Sequence, residues 1–328
     1  MRDSAARTRF GLSARAGRST VGDPRIHVDL THLRALEGQA KALSFLPRQP
    51  ARSVLNGRHA SRLRGRGLNF EELRDYLPGD DVRSIDWKVT ARTGEPHVRV
   101  YTEERDRPAM IVVDQRMSMF FGSTLNMKSV TAAETAVLAA FRILDQGDRV
   151  GGIVFGDEMV AEIRPLRSRH RLDAFIAAIA NANAALGADR QVAEPMTLNR
   201  PLEVAARIAR RDHFILVLSD FDGIDERTET ILGGLARHND VVLGLITDPS
   251  AHDVPGDLRI VFSDGRLQAE LDTGVEDVRR SLTTFLSDRV AKVLSFERKL
   301  GVPVLPLSAG EQTMPQIRRF MGLAPRGR

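Results

Sequence analysis

The stretch VVDQRMSMFFGS, residues 112–123, decides the fold class of this chain. Together with Ile111 it starts as a short apolar run, which is typical of a parallel strand buried on both faces. The strand ends at Asp114, and Ser118 follows four residues later. A carboxylate and a hydroxyl in a loop at a strand's carboxyl end can hold a hard cation such as Mg²⁺. Arg116 lies between them, however, and a fixed positive charge there would repel that cation.

Similar apolar runs recur along the chain and alternate with helical patterns. This alternation predicts an α/β, doubly wound and mostly parallel sheet with helices on both faces. Segment 158–163 is joined to the preceding strand by only the turn Gly156-Asp157, so it is predicted as an antiparallel hairpin strand at the sheet edge. The other predicted strands are 110–114, 149–156, 213–220, 240–247 and 302–307, and the predicted helices are 128–145, 168–184, 198–211, 226–237, 275–299 and 311–322.

A smaller helical and β-hairpin segment is predicted ahead of the sheet. Residues 30–43 carry an apolar stripe at helical spacing, and residues 69–77 have the pattern of a second short helix. Strict alternation over 84–91 predicts a half-buried strand that pairs with 97–103 and holds Trp87 on its apolar face. The predicted divisions are a disordered basic tail over 1–24, the N-terminal segment over 25–105, the sheet domain over 106–323 and a tail over 324–328.

Two strands of the predicted sheet end in an aspartate. Asp220 ends the 213–220 strand, as Asp114 ends the first one. Because the carboxyl ends of parallel strands meet at one edge of the sheet, both acids are expected there together with Ser118. Thr197 opens the helix that leads into the 213–220 strand, and its hydroxyl is expected to face the same crevice.

Composition excludes several classes of protein. The 328-residue chain has no cysteine, which rules out disulfides, zinc–thiolate sites, iron–sulfur clusters and thiol catalysis. No apolar run approaches the roughly 20 residues that a bilayer span requires. The amino terminus lacks the apolar middle region of a secretory signal. A cytoplasmic protein without a membrane span is therefore expected.

The net charge of +5 is unevenly distributed. Residues 1–66 hold 14 Lys and Arg against 4 Asp and Glu, and the densest basic stretch is 52–67. Such a stretch can bind nucleic acid, but no aromatic residue lies between its arginines to stack on bases. A solvated basic arm is favoured, with an acidic protein surface and nucleic acid as the alternative partners.

The segment GDDVRSIDWKVTAR, residues 79–92, interleaves acidic with basic residues. An ion-pair network that locks strand to turn is the favoured interpretation. A partner-binding surface that includes Asp81, Arg83 and Arg92 is the alternative.

The run GRGLNFEELRDYLPGDDVRSIDWKVTARTGEPHVRVYTEERDRP, residues 65–108, is followed by a strand that ends in Asp and then by Ser-Met. This combination resembles the bacterial domain-of-unknown-function-58 family, over roughly residues 50–323. The resemblance implies a von Willebrand factor A-like domain preceded by a β-containing segment. It also implies a role beside MoxR-type AAA+ ATPases in assembly, chaperoning or stress response, and no catalytic activity.

Von Willebrand A domains hold a metal through an Asp-x-Ser-x-Ser loop, a Thr from a second loop and an Asp from a third. Asp114, Ser118 and Asp220 match this motif, and Thr197 is a weaker match. Position 116 is Arg where the motif has Ser, and a guanidinium there can pair bidentately with either acid. The resemblance thus implies a degenerate metal site. A metal-free site in which Arg116 receives a partner's carboxylate is favoured, and Mg²⁺ binding with Arg116 turned outward is the alternative.

The expected function is a non-enzymatic adaptor that docks a MoxR-type AAA+ ATPase or its client through the carboxyl edge of the sheet. Nucleic-acid binding through the basic arm is the first alternative. The second is a Mg²⁺-dependent phosphoryl-transfer enzyme that uses Asp114 and Asp220. Against an enzyme, the chain has no HExxH, no Gly-x-Ser-x-Gly and no GxGxxG after a strand. No lysine is apparent near the two acids to stabilise a transferred group.

Overall fold

The computed structural model describes residues 22–41, 68–77, 80–103, 107–187, 196–251, 259–263, 268–272 and 276–320. The basic stretch 52–67, most of the tail over 1–24 and the tail over 324–328 lie outside these residues. In chain order the elements are α1 Leu30–Lys41, β1 Leu68–Asp75, α2 Trp87–Thr93, β2 His97–Glu103, β3 Ala109–Asp114, α3 Lys128–Asp145, β4 Val150–Phe155, β5 Met159–Leu166, α4 Arg169–Ala184, α5 Asn199–Ile208, β6 Phe214–Ser219, α6 Glu226–Ala236, β7 Asp240–Thr247, β8 Arg259–Ser263, β9 Gln268–Asp272, α7 Glu276–Leu300, β10 Val304–Ser308 and α8 Thr313–Phe320.

Six strands form the central sheet, in the order β10-β7-β6-β3-β4-β5. The first five are parallel to one another, and β5 pairs antiparallel with β4 at the edge. Helices α1, α3, α4 and α8 cover one face, whereas α5, α6 and α7 cover the other. The predicted α/β, doubly wound, mostly parallel sheet is therefore confirmed, and it is consistent with a von Willebrand factor A-like fold.

The central strand β3 shows why the sheet could be predicted from the sequence. All six of its residues are buried. Ile111 and Val113 join the core on one face, whereas Met110 and Val112 join the core on the other. A strand covered on both faces needs apolar side chains at every position, because successive residues point to opposite faces.

Helix α1 belongs to the core of the sheet domain. Its apolar stripe of Leu33, Leu36 and Ala40 is buried in the same cluster as residues of α3 and α4. Just before the helix, the Val28 amide donates to Asn183 Oδ1 at 2.8 Å, which ties the chain to the end of α4. The helical pattern predicted over 30–43 is thus confirmed for the part that the structure describes.

Two predictions for the N-terminal segment are wrong. Residues 69–77, expected to be helical, contribute to β1, and residues 84–91, expected to be a strand, contribute to α2. Strand β1 pairs antiparallel with β2, with a bulge between Phe70 and Glu72. The extra residue at a bulge breaks the period-two alternation by which a half-buried strand is recognised.

Helix α2 begins and ends with capping residues that the sequence displays. The Asp86 side chain accepts from the amides of Lys88 and Val89, at 3.0 and 3.2 Å. Gly94 ends the helix in the left-handed conformation, with φ of 83°. Trp87 is 67% exposed, so the expectation that it lies on a buried apolar face is wrong.

The hairpin of β8 and β9 was not predicted from the sequence. None of the helices that the structure describes is both long enough and apolar enough to cross a membrane.

Candidate functional site

The fold brings the two predicted acids together at the carboxyl edge of the sheet. Asp114 ends β3 and Asp220 directly follows β6, and these strands are parallel neighbours. Ser219 Oγ donates to Asp114 Oδ2 at 2.6 Å. Both aspartates are almost fully buried, with 0% and 4% of their surface exposed.

The Arg116 side chain points inward and pairs with both acids. Its Nε lies 3.1 Å from each carboxylate oxygen of Asp114, and its Nη2 lies 2.8 Å from Oδ2. Its backbone amide donates to Asp114 Oδ1 at 2.9 Å. The guanidinium is also 3.9 Å from Asp220 Oδ1. Of the two orientations that the sequence left open, the structure has the inward one.

Arg116 also ties neighbouring loops together. Nη1 donates to the carbonyl of Met196 at 3.0 Å, and both terminal nitrogens donate to the carbonyl of Asp222 at 3.3 Å. The guanidinium carbon lies 5.7 Å from the centre of the Phe155 ring, within the range of a cation–π contact. Only 4% of Arg116 is exposed. One side chain therefore fixes the loops after β3, before α5 and after β6.

Two further cations surround Asp220. Lys128 Nζ donates to Asp220 Oδ2 at 2.6 Å, and Arg289 Nη1 lies 3.8 Å from the same oxygen. Burial alone would raise the pKa of Asp220, but the charges of Lys128, Arg116 and Arg289 outweigh it and hold this pKa below its ordinary value. We call this set the carboxyl-edge cluster; its members are Asp114, Arg116, Lys128, Asp220, Asp222 and Arg289.

Sequence reasoning missed Lys128 and Arg289, and its expectation that no lysine lies near the two acids is wrong. Lys128 is the first residue of α3, the helix that follows the Asp114 loop. That position was a usable signal, because the start of this helix lies at the same edge of the sheet. Arg289 comes from α7 and pairs with Asp222, and its place in the chain gave no hint of this contact.

The loop after β6 holds an unusual backbone conformation. Phe221 is fully buried and has φ of 55°, in the left-handed region that non-glycine residues rarely adopt. Its amide donates to Ser219 Oγ at 2.9 Å. This turn lets the carbonyl of Asp222 face Arg116. It also lets the Asp222 amide donate to Asp220 Oδ1 at 3.1 Å. Such a conformation costs of the order of 1–3 kcal/mol and persists where its surroundings stabilise it.

The other predicted metal ligands are placed less centrally. Ser118 Oγ donates weakly to Asp220 Oδ1, at 3.4 Å. Thr197 is exposed. In this loop the group that contacts the carboxyl-edge cluster is the carbonyl of Met196, the residue before Thr197. The crevice thus brings together Asp114, Ser118 and Asp220 but not the Thr197 hydroxyl.

The arrangement does not fit Mg²⁺. This ion needs several oxygen ligands in octahedral geometry, usually with net negative charge around them. In the carboxyl-edge cluster three carboxylates are matched by two guanidinium groups and one ammonium group, which already contact the carboxylate oxygens. Across the described part of the chain, no group of three or more His, Cys, Asp or Glu is arranged to hold a metal.

The acidic residues of segment 79–92 have local structural roles. Asp80 forms a bidentate pair with Arg74 of β1, at 2.7 and 2.8 Å. Asp81 accepts from the Arg83 amide at 3.0 Å and caps a short 3₁₀ turn. Asp81, Arg83 and Arg92 are all exposed.

Comparison with known proteins supports the resemblance found in the sequence. The family described as "Protein of unknown function DUF58" matches residues 72–292, about two thirds of the chain. Uncharacterised proteins of Mycobacterium bovis and Mycobacterium tuberculosis are each 27% identical over 319 residues. Each alignment covers 94% of this chain and 93% of the relative.

Proposed function

This chain belongs to the DUF58 family, and from that membership we propose that it is a non-enzymatic adaptor. It docks a MoxR-type AAA+ ATPase or its client through the carboxyl edge of the sheet. The observation that carries this proposal is the closed, electrically balanced cluster at that edge. A crevice filled with mutually paired charges offers a rigid surface to a partner rather than groups that react.

The accessibility of the acids supports a non-enzymatic role. Asp114 is fully buried and already accepts hydrogen bonds from Arg116 and Ser219. A nucleophile or general base has to reach its substrate within hydrogen-bond distance, and this carboxylate is enclosed. Lys128, which could stabilise a transferred phosphoryl group, is engaged with Asp220.

The geometry changes the role proposed for Arg116. A buried guanidinium whose donors are engaged by Asp114, Met196 and Asp222 has little capacity to receive a carboxylate from a partner. We therefore assign Arg116 to positioning the three loops, and the partner contacts the exposed residues that these loops present. Thr197 and the partly exposed Asp222 are such residues.

We propose that the same partner also contacts the N-terminal segment. Trp87 is 67% exposed and Val82 is 58% exposed, beside Asp81, Arg83 and Arg92. Exposed tryptophan is costly in water and is enriched among the residues that dominate binding energy at protein interfaces.

The direct test measures binding of a purified MoxR-type ATPase from the same organism to the full-length protein, with ATP and with or without EDTA. We expect binding that resists EDTA and that weakens by about tenfold or more in Trp87→Ala. A substitution of an exposed residue at the end of α1, Lys41→Ala, is the control and is expected to bind normally. Failure to bind, together with turnover of a small substrate by the pure protein, would move the chain to the enzyme class.

A further inference from the structure

A groove of about 870 Å³ lies between α5 and α6, beside the edge strand β5. Its floor is apolar and includes Val204 and Leu235, both buried, and the partly buried Ile231. Arg200, Arg207 and Arg210 line it from α5 and the loop that follows. We call this feature the α5–α6 groove. None of its lining residues belongs to the carboxyl-edge cluster.

Two of the three arginines, Arg200 and Arg207, lie on one side of α5, and Arg210 lies in the loop that follows the helix. A spacing of seven residues returns a helix to nearly the same face and separates these two charges by about 10 Å along the helix axis. All three residues are exposed. Within the described part of the chain their side chains form no hydrogen bond or ion pair.

The groove holds little negative charge to balance these arginines. Glu203 lines it but is paired with Arg227 of α6. Glu162 of β5 is the other acidic lining residue, and it is exposed. Three guanidinium groups therefore face a single carboxylate without a cationic partner, and the groove is net positive.

Hydrogen bonds at both ends hold the groove open. At the start of α5, the Asn199 amide donates to Asp225 at 3.1 Å and its oxygen accepts from Thr228 at 2.7 Å. At the far end, Asn239 donates to the carbonyls of Ala209 and Leu235, at 3.1 and 3.0 Å. A site fixed in this way loses little conformational entropy when a ligand binds.

Gly234 opens space in the wall formed by α6. It is an exposed residue of the helix, and a Cβ added there would meet no atom within 4 Å. A side chain at this position can therefore enter the groove without displacing the backbone. Glycine in a helix interior has a cost relative to alanine, and here its effect is to leave room above the apolar floor.

We propose that the α5–α6 groove binds an acidic, amphipathic segment of a partner protein. Its apolar side chains rest on the floor, and its Asp or Glu side chains pair with Arg200, Arg207 and Arg210, as in other arginine-based recognition of acidic motifs. Nucleic acid fits less well, because none of the described residues that line the groove is a Phe, Tyr or Trp on which bases could stack. The groove is a separate surface from the carboxyl edge, so this inference goes beyond the proposed docking function.

The test uses the full-length protein and a fluorescein-labelled peptide of about ten residues, alternating pairs of Glu and Leu, long enough to span the arginines as a helix. Fluorescence anisotropy is expected to show saturable binding. Arg207→Glu and Gly234→Phe should each weaken it by about tenfold or more, since one reverses the charge and the other fills the space. Gly38→Phe is the matched control, because Gly38 is an exposed helical glycine of α1 with the same open surroundings.

Several results would overturn the inference. Absence of saturable binding would do so, as would equal binding of a peptide with Lys in place of Glu. Weakening by Arg207→Glu without weakening by Gly234→Phe would show charge attraction outside the groove. Tighter binding of a single-stranded oligonucleotide with the same arginine dependence would favour nucleic acid. Melting temperatures of all variants establish folding, and ATPase binding measured in parallel separates failure of this inference from failure of the proposed function.

Discussion

The carboxyl-edge cluster and the α5–α6 groove each contain three cationic side chains, yet their surroundings differ completely. In the cluster, Arg116 and Lys128 are largely buried and contact carboxylates at 2.6 to 2.8 Å. In the groove, Arg200, Arg207 and Arg210 are exposed and lie beside an apolar floor. The comparison teaches that the partners supplied by the fold decide whether a basic residue organises the structure or remains available for binding.

The difference has an energetic basis. A buried ion pair contributes little net stability relative to apolar replacements, but removing one partner leaves a desolvated charge and is strongly destabilising. An exposed arginine has no such dependence, because water solvates it in the folded and unfolded states alike. The two regions should therefore respond oppositely to substitution, and four experiments test this contrast.

The largest effect is expected for Asp114→Ala, which leaves the Arg116 guanidinium buried without its main partner. We expect a loss of about 3–5 kcal/mol in the free energy of unfolding, measured by urea denaturation. Asp222→Ala is the control, since its side chain is 40% exposed and its carbonyl contact with Arg116 is retained. A loss below about 1 kcal/mol for Asp114→Ala would mean that the cluster does not stabilise the fold.

The second effect is a loss of stability at low pH. The pKa of Asp220 lies below its ordinary value of 3.8, so the folded state favours the ionised carboxylate. Its contribution to stability is present above that value and is lost as the pH falls toward the pKa of the folded state. The free energy of unfolding should fall below about pH 4, and more steeply in the natural protein than in Asp220→Asn. Parallel profiles for the two proteins would count against this assignment.

The third effect tests the position of the guanidinium. Arg116→Ser restores the Asp-x-Ser-x-Ser pattern and leaves the cluster with one net negative charge. We expect millimolar Mg²⁺ to stabilise this variant by about 1 kcal/mol, seen as a higher Tm, and to leave the natural protein unchanged. If Mg²⁺ stabilises the natural protein and Asp114→Asn abolishes the effect, Arg116 leaves the crevice in solution and the site accepts a metal.

The smallest effect is expected in the groove. Replacing Arg200, Arg207 and Arg210 together by Gln should change the free energy of unfolding by no more than about 0.5 kcal/mol, as for other exposed positions. The single change Arg116→Gln should cost about 2 kcal/mol or more, because it breaks a buried network. Comparable losses in the two proteins would erase the distinction between the regions.

The sheet and the pair of acids were predictable because their causes are local in the sequence. Strands such as β3 that are buried on both faces must be apolar throughout, and parallel strands place their carboxyl ends at one edge. From these two rules alone, Asp114 and Asp220 were expected together. Arg289 was not, because its contact with the cluster depends on how α7 packs against the sheet.

The same rules gave wrong predictions for the N-terminal segment, and each error has an identifiable cause. The bulge in β1 hid its alternation, and the chance alternation over 84–91 outweighed the capping signals of Asp86 and Gly94.

The α5–α6 groove was not predicted from the sequence, for a different reason. Arginines spaced along α5 look like any solvated helix face, and only the packing of α6 with Gly234 reveals the open space beside them.

The position of α1 has a consequence for synthesis on the ribosome. Its apolar stripe packs on α3 and α4, and Val28 bonds to Asn183, 155 residues later in the chain. At about 5–20 residues per second, that partner is translated roughly 8–30 s after Val28. Leu33 and Leu36 therefore spend this interval without their docking surface, accessible to chaperones that bind exposed apolar segments. Pulse-labelled nascent chains should capture this interval as a window of protease sensitivity at α1 that closes once α4 has been made.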